Sequence, residues 1–286
     1  MLVREILDQA KSQFKEREIS EVDAEILLAH LLDTDRMQLH AKEIDLDSAQ
    51  LLQLEESFNE LVTARLSGTP TQYLLGYAPF RYLLFDVGPG VLIPRPETEL
   101  LVDAALIEIK KVNAETGRAV SVVDLGAGTG AIAVSVAFEA ERHNLSVTVV
   151  AVEMEAAACK WLRQNIQKHD VEVRVIESSV ETALIDVKCD LVIANPPYIP
   201  AHVELPKNVI DFEPHSALIG GATGIEVPTH FIDAARRILK SGGLFLIEHF
   251  ETQGALIAQI LSNGFNEIEL HSDLTNRPRW TSARKL

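Results

Sequence analysis

One tetrapeptide in the chain, Asn195-Pro196-Pro197-Tyr198, has residue types suited to a particular reaction. Both prolines fix φ and Pro197 lacks an N–H group, so the segment is rigid and holds its carbonyl groups in a set direction. The carbonyls of the Asn195 side chain and the Pro196 main chain can accept both hydrogens of a planar NH₂ group, on which the Tyr198 ring can pack. Such a nitrogen has a delocalised lone pair and gains positive charge as it attacks a sulfonium methyl group. The tetrapeptide therefore predicts methyl transfer to an amide or aromatic amino nitrogen, aided by in-line placement of the reacting atoms.

A glycine-rich turn, Gly126-Ala127-Gly128-Thr129-Gly130, is the second segment suited to chemistry, and it follows the β-branched stretch Val120 to Asp124. Its glycines let the backbone approach a ligand closely, and amides at the start of the next helix can receive a carboxylate. Glu153 ends the next predicted strand, where an acid accepts hydrogen bonds from a ribose diol. Gly126, Gly128 and Ala131 also fit the pattern of a dinucleotide site, so the turn by itself does not choose the cofactor.

Composition limits the classes of protein to which the chain can belong. With 286 residues, 47% of them hydrophobic, it can form one large domain and a small one. Its net charge of −16 disfavours a broad grip on phosphates, so duplex DNA is not an expected partner. Cys159 and Cys189 lack the spacing of a disulfide framework or a metal site, which predicts a reducing cytoplasm and no bound metal. The first residues mix charged and apolar side chains, so we expect neither a signal peptide nor a membrane span. As a separate expectation, the protein is a monomer.

The elements that must position these residues fall into three stretches. From Leu2 to Gly68, apolar residues recur at helical spacing and predict a small bundle of helices. Gly68 and Pro70 form a stop signal, and a mixture of glycines with aromatic and β-branched residues then predicts a hairpin or extended linker rather than a helix. These changes predict a helical domain over 1–71, a hairpin linker over 72–95 and a methyltransferase domain over 96–286.

Strands and helices alternate in the third stretch, after a helix that begins at Glu97. This alternation demands right-handed crossovers and hence a mainly parallel sheet covered on both faces, whereas two final strands with no helix between them must pair as an antiparallel hairpin. The predicted fold is α/β, a Rossmann-like sheet of seven strands, mostly parallel with an antiparallel closing strand. The strands are predicted at 119–124, 146–153, 172–177, 189–194, 243–249, 266–273 and 279–285, and the helices between them at 130–142, 155–168, 229–240 and 252–262.

Several motifs together resemble those of the peptide-chain release-factor glutamine N5-methyltransferase family, over most of the chain. Asn195 to Tyr198 is shared with adenine-N6 and other amine methyltransferases, whereas Ile93-Pro94-Arg95-Pro96-Glu97-Thr98-Glu99 is much more particular. The likeness also rests on the helical N-terminal region, Gly76 to Phe80, Asp124 to Gly130, Phe212-Glu213-Pro214, Ala217-Leu218, Gly242-Gly243 and Glu248-His249.

The resemblance implies a reaction and a set of site residues. The enzyme would use S-adenosyl-L-methionine, release S-adenosyl-L-homocysteine, and convert the glutamine of the Gly-Gly-Gln motif in class 1 peptide chain release factors to N5-methylglutamine. The helical domain would help to hold the release factor. Ser179 and Val180 stand where many members carry an acidic and then an aromatic residue near the adenine. The implied roles are catalysis by Asn195, Pro196 and Tyr198; cofactor binding by Gly126, Ala127, Gly128, Thr129, Gly130, Glu153, Val180 and Asn195; and substrate binding by Asn195, Pro196, Pro197, Tyr198, Arg95 and Glu97, the last two with a structural linker role as the alternative.

Other functions fit parts of the sequence. An exocyclic-amine methyltransferase of the adenine-N6 type, acting on nucleic acid, would use the same tetrapeptide. The negative charge and the lack of a basic, aromatic-interleaved segment disfavour it. A dinucleotide oxidoreductase would leave Asn195 to Tyr198 without a role, and the intact tetrapeptide disfavours a silent cofactor-binding scaffold.

Overall fold

The computed structural model describes residues 3–41 and 46–286, so Leu2, with which the predicted helical stretch begins, lies outside the described residues. The chain divides into two compact units, Met1–Tyr77 with Pro206–Phe212 and Ala78–Leu205 with Glu213–Leu286. This division differs from the predicted limits at 71 and 95. A segment from the second half of the chain joins the N-terminal unit, and most of the hairpin predicted as a linker belongs to the second unit.

The first unit is built from helices, as the apolar spacing predicts. The Asp47 carboxylate accepts the N–H groups of Ala49 and Gln50, a capping box that starts the longest helix of this unit. Phe14 and Phe58 are buried in its core. The helices are α1 (Val3–Glu16), α2 (Glu21–Leu31), α3 (Gln38–Ala41), α4 (Ser48–Leu66) and α5 (Thr71–Leu75), with the short α9 (Lys207–Ile210).

Helix α5 occupies the start of the stretch predicted as a linker, where no helix was expected, and that part of the prediction is wrong. Pro70 precedes the helix with a φ suited to a helix start, and Gly76 ends it in the left-handed conformation at φ 77°. The predicted hairpin follows as a two-stranded sheet, β1 (Tyr77–Phe80) and β2 (Leu83–Asp86).

The second unit contains a seven-stranded sheet, which confirms the predicted fold class. Its strands are β3 (Val120–Leu125), β4 (Val147–Glu153), β5 (Val173–Glu177), β6 (Cys189–Ala194), β9 (Leu239–Glu248), β10 (Phe265–Ser272) and β11 (Pro278–Lys285), while β7 (Ile199–Pro200) and β8 (Ile219–Gly221) form a separate pair. The order across the sheet is β10-β11-β9-β6-β3-β4-β5. The neighbours from β9 to β5 are parallel, and β11 runs antiparallel to both β9 and β10.

Most helices of this unit lie close to their predicted positions, but α10 (His215–Leu218) was not predicted, and the helix predicted at 229–240 begins at Glu226. Two further boundaries differ from the prediction. A 3-10 turn at Pro96–Thr98 precedes the first helix, which begins at Glu99 rather than Glu97. The helix predicted to reach 240 ends at Ile238, because Leu239 is already extended and pairs with Cys189 of β6. The helices are α6 (Glu99–Thr116), α7 (Ala131–Arg142), α8 (Ala156–His169), α10 (His215–Leu218), α11 (Glu226–Ile238) and α12 (Gly254–Leu261).

Apolar side chains cover both faces of the sheet. Every residue of β6 is buried, and from Leu191 onward its residues alternate between two separate apolar clusters. Leu191 and Ile193 pack in the cluster that includes α6 and α7, whereas Val192 and Ala194 pack in the cluster that includes α11 and α12. Among the helices that the structure describes, none is both long and apolar enough to cross a membrane.

The strand register lines up the chain segments that follow the parallel strands. Leu125 pairs with both Val152 and Ala194. Ala194 pairs in turn with Ile247 of β9. The residues that come next, Gly126, Glu153, Asn195 and Glu248, therefore lie along one edge of the sheet, where an open α/β sheet binds ligands.

Candidate functional site

A cavity of about 390 Å³ opens at this carboxyl edge of the sheet. Its wall brings together two segments that are distant in the sequence, the glycine turn after β3 and the tetrapeptide after β6. The residues with predicted roles that line it are Gly126, Gly128, Glu153, Val180, Asn195 and Pro197. Ala127, Thr129, Gly130, Pro196, Tyr198, Arg95 and Glu97 are not among the lining residues.

The glycine turn divides into residues that face the cavity and residues that support them. Gly126 has φ 71°, and a Cβ there would come within 2.9 Å of the Phe231 ring. A Cβ on Gly130 would come within 2.5 Å of Leu162 on α8. Glycine at 126 therefore keeps the cavity wall open, whereas glycine at 130 lets the turn pack closely on a helix.

Glu153 lies on the cavity wall with its carboxylate held by backbone donors. Its side chain is buried, and Oε2 accepts the Gly128 N–H at 2.8 Å. Oε1 accepts the N–H groups of Met154 and Glu155 at 2.8 and 2.9 Å. Burial raises the pKa of this carboxyl, while the three backbone donors oppose that change. A carboxylate that backbone N–H groups already hold in place is a suitable acceptor for the hydroxyl groups of a ribose.

Asp124, at the start of the glycine motif, supports the helix after the turn. Its Oδ2 accepts the Ala133 N–H at 3.1 Å, in the first turn of α7. Its buried Oδ1 has no hydrogen-bond partner among the described residues. Burial raises the pKa of Asp124 to about 7, and the charge of Glu153 adds to the rise.

Asn195 and Tyr198 are joined by hydrogen bonds through Glu248. The Asn195 Nδ2 group donates to Thr98 Oγ1 at 3.1 Å, and the Thr98 hydroxyl donates to Glu248 Oε2 at 2.7 Å. The Tyr198 hydroxyl donates to the other carboxyl oxygen, Glu248 Oε1, at 3.0 Å. We call these four residues the Glu248 network.

Glu248 and Thr98, the two inner residues of the Glu248 network, are buried. The Glu248 side chain is 2% exposed, and burial raises its pKa to about 7 in spite of the two hydroxyl donors. Burial, and next the Glu248 charge, raise the pKa of the Tyr198 hydroxyl well above its ordinary value, so this hydroxyl remains a donor. The Tyr198 ring lies 6.5 Å from the Phe250 ring, centroid to centroid.

Arg95 makes an internal ion pair. Its Nη2 lies 2.6 Å from Oε1 of the buried Glu213, whose Oε2 accepts the Ile93 N–H at 3.0 Å. This link joins the segment before the 3-10 turn to Pro214, which lines the cavity. Substrate contacts by Arg95 and Glu97 remain a prediction.

Part of the cavity wall is formed by the segment after β5. This segment contains Ser179 and Val180, which differ from the residues that many family members carry near the adenine. Ser178, Val180 and Glu181 line the cavity, whereas Ser179 is not among the lining residues. Glu181 Oε1 lies 3.2 Å from Nδ1 of His230, which also lines the cavity. This wall thus offers an apolar side chain flanked by polar ones.

Sequence reasoning gave Glu213 and Glu248 no role, and placed Thr98 only within the segment Pro94 to Glu99 expected to line or cover the site, although all three lie in the motifs that carry the family resemblance. The fold supplies the missing signal, because Glu248 becomes a neighbour of Asn195 only when β9 pairs with β6. No cluster of three or more metal-ligating His, Cys, Asp or Glu residues occurs within residues 3–41 and 46–286.

Comparison with known proteins matches both parts of the chain. The family models that match are the Methyltransferase small domain, over residues 102–211, and the PrmC N-terminal domain, over residues 5–76. The release factor glutamine methyltransferase of Bifidobacterium longum is 37% identical over 99% of this chain and 99% of its own length. That of Mycolicibacterium smegmatis is also 37% identical, over 93% of this chain and 90% of its own length.

A solved structure is similar in fold. The 16S rRNA methyltransferase of T. thermophilus, in complex with S-adenosylmethionine and guanosine, superposes with a TM-score of 0.52 at 21% identity. The match covers 73% of this chain and 50% of that chain. At this level of identity the likeness concerns the fold alone.

Proposed function

This chain belongs to the release factor glutamine methyltransferase family, and on that premise we propose that it methylates a glutamine side chain with S-adenosyl-L-methionine. The target is the glutamine of the Gly-Gly-Gln motif in class 1 peptide chain release factors. The amide nitrogen lone pair forms a bond to the methyl carbon while the sulfur–carbon bond breaks and its electron pair stays on sulfur. The nitrogen then gives one of its two protons to water, and the products are N5-methylglutamine and S-adenosyl-L-homocysteine.

The observation that carries the proposal is that Asn195 lines the same cavity as Gly126, Gly128 and Glu153. The Asn195 Nδ2 group is committed to Thr98, which leaves the carbonyl oxygen Oδ1 as the acceptor for an N–H group of the target amide. An amide is a weak nucleophile, and an acceptor placed beforehand stabilises the positive charge that develops on its nitrogen.

The chemistry of the cavity wall fits the cofactor. The buried Glu153 carboxylate is an acceptor for a ribose diol, the backbone of the glycine turn allows close approach of the methionine part, and Val180 offers an apolar contact for the adenine. The cofactor supplies an electrophilic methyl group, which no side chain can provide.

We assign further roles to the rest of the tetrapeptide. The Pro196 carbonyl accepts the second N–H hydrogen of the target amide, and the Tyr198 ring packs against the planar group. Pro197 keeps the segment rigid.

The N-terminal helical unit helps to hold the release factor. The chain acts as a monomer in the cytoplasm, where both free cysteines remain reduced.

Labelled methyl transfer tests the proposal. Purified protein with S-adenosylmethionine labelled in its methyl group is expected to label a class 1 release factor. A release factor whose Gly-Gly-Gln glutamine is changed to alanine should stay unlabelled, which controls for methylation elsewhere. Equal labelling of the two release factors, or preferential labelling of RNA or DNA, would refute the proposed substrate.

A further inference from the structure

The strand register places a carboxyl group behind the proposed acceptor. Ala194 pairs with Ile247, so Asn195 and Glu248 are the next residues of two adjacent strands. Trp280 of β11 pairs with Glu248 on its other side, which encloses this position within the sheet. Asn195 therefore lies on the cavity wall, while Glu248 is buried behind it.

The hydrogen-bond donors of the Glu248 network determine which way the Asn195 amide faces. A hydroxyl group has one hydrogen, and Thr98 donates its hydrogen to Glu248. Thr98 Oγ1 can then only accept from Asn195, so the Nδ2 group of Asn195 must face it. If the Asn195 amide were flipped, its Oδ1 would face Thr98 Oγ1 with no hydrogen between the two oxygens. A carboxylate accepts hydrogen bonds and donates none, so Glu248 maintains this arrangement through Thr98.

The same carboxylate holds the second side chain of the tetrapeptide. The Tyr198 hydroxyl donates to the oxygen of Glu248 that Thr98 leaves free. Both oxygens thus receive a hydroxyl donor, and among the described residues Glu248 has no ion-pair partner within 4.0 Å. A buried carboxylate without a paired cation destabilises the fold, so its presence beside the reacting groups points to a role in the reaction.

We propose that Glu248 is a positioning residue for methyl transfer, which orients the Asn195 carbonyl through Thr98 and fixes the Tyr198 ring through its hydroxyl. The inference rests on the proposed function, because it assigns to Asn195 the role of acceptor for the target amide. The negative charge of Glu248 also polarises the Asn195 amide, so that Oδ1 becomes a stronger acceptor as positive charge develops on the substrate nitrogen.

The Thr98→Val and Thr98→Ser pair tests the link between Glu248 and Asn195. Valine keeps the shape of the side chain but removes the hydroxyl, so we expect kcat to fall at least tenfold with KM and the cofactor Kd changed by less than about twofold. Serine keeps the hydroxyl and should restore kcat to within about threefold of wild type. Melting temperatures of both variants exclude unfolding as the cause.

The Glu248→Gln variant tests the charge. We expect a fall in kcat of about tenfold with KM retained, because glutamine fills the same space but is neutral. The wild-type kcat should rise with pH through about 7 as Glu248 ionises, and the variant should lack this step. The other titratable groups that act on Glu248 are Glu97 from the 3-10 turn, Arg279 from β11 and Tyr198 itself. Burial lowers the pKa of the adjacent His249, which favours its neutral form.

Glu108→Gln is the matched control. Glu108 is also buried in the sheet unit, where it pairs with Arg284 at 2.8 Å, and it makes no contact with the cavity. It should lower stability while kcat and its pH profile stay as in the wild type. Wild-type kcat in Thr98→Val or Glu248→Gln, or equal losses in Thr98→Val and Thr98→Ser, would overturn the inference.

Nuclear magnetic resonance reports on the Asn195 amide without any turnover. The side-chain NH₂ signals of Asn195 are identified by their absence in the Asn195→Asp variant. We expect them to shift in Thr98→Val and Glu248→Gln and to stay in place in Thr98→Ser and Glu108→Gln. Unchanged signals in all four variants would refute the link. If the wild type methylated no release factor, the proposed function would fail, and these signals would still decide whether Glu248 orients Asn195.

Discussion

Asn195 can act as an acceptor only if its side-chain amide keeps one orientation, and two neighbouring side chains, Thr98 and Glu248, maintain it. Thr98 Oγ1 accepts a hydrogen bond from Asn195 Nδ2, because its own hydroxyl hydrogen is donated to Glu248. This residue-scale arrangement could not be predicted from the sequence, because Thr98 and Glu248 become neighbours of Asn195 only through the fold. The roles of Asn195 and Tyr198 stay predictions, which the sequence supports through residue type and through the rigidity that two prolines impose.

The stability of the protein should report on the buried carboxyl of Glu248. Its pKa lies near 7 in the folded chain and near 4.5 when exposed, so between these values the folded state retains a proton that the unfolded state releases. Stability therefore falls as pH rises from 4.5 to 7 and levels off above 7. In Glu248→Gln this contribution is absent, so the free energy of unfolding of the wild type should fall relative to the variant by about 3 kcal/mol between pH 4 and pH 8.

Urea unfolding of both proteins across this range measures the difference. Asp124, whose pKa also lies near 7, is common to the two proteins and cancels from the comparison. A difference between them that does not change with pH would contradict the buried position of Glu248.

The elements were predictable because the apolar spacing of the strands and helices is regular. β6 and α7 lie close to their predicted ranges, and the closing hairpin follows from the lack of a helix between the last two strands. Short elements such as α5 and β7 were missed, because a few residues carry no periodic pattern and their structure depends on local prolines and glycines. The order of strands across the sheet is set by packing of the whole unit.

Gly126, which faces the cavity, should tolerate no side chain. Gly126→Ala would place a Cβ within 2.9 Å of the Phe231 ring, which lines the cavity, at a backbone φ of 71°. We expect the cofactor Kd to rise at least tenfold, because the Phe231 ring must shift and this changes the cavity wall, in addition to a loss of stability of about 1 kcal/mol from the strained backbone.

Gly117→Ala is the matched control for this prediction. Gly117 ends α6 at φ 66°, and a Cβ there would meet nothing within 4 Å. The same strain is therefore expected with no change in cofactor Kd, as measured by calorimetry and thermal unfolding. An equal loss of cofactor binding in both variants would mean that strain, and not the cavity wall, is responsible.

At the scale of the whole molecule, the helical unit carries no residue of the proposed reaction and is available for recognition. Leu52 on α4 is 58% exposed in this unit. If the unit holds the release factor, Leu52→Glu should raise KM for the intact release factor on the order of fivefold, or about 1 kcal/mol, with kcat unchanged.

Leu270→Glu provides the comparison, since Leu270 is 50% exposed on β10 of the sheet unit. Steady-state kinetics with varied release factor should give a wild-type KM for this variant. A wild-type KM in Leu52→Glu would place the recognition surface elsewhere, and a raised KM in both variants would indicate a general effect of added negative charge on a protein of net charge −16.

Tandem mass spectrometry of the release factor after incubation with S-adenosylmethionine shows which residue is methylated and how fast. With the wild type, the added methyl group should map to the side chain of the Gly-Gly-Gln glutamine. With Asn195→Ala, the rate of its formation should fall at least 10²-fold, while the cofactor Kd stays within about threefold, because an acceptor aligned with the reacting amide has been removed. Methylation at another residue would refute the proposed substrate, and near-normal methylation by Asn195→Ala would refute the role of Asn195 as acceptor.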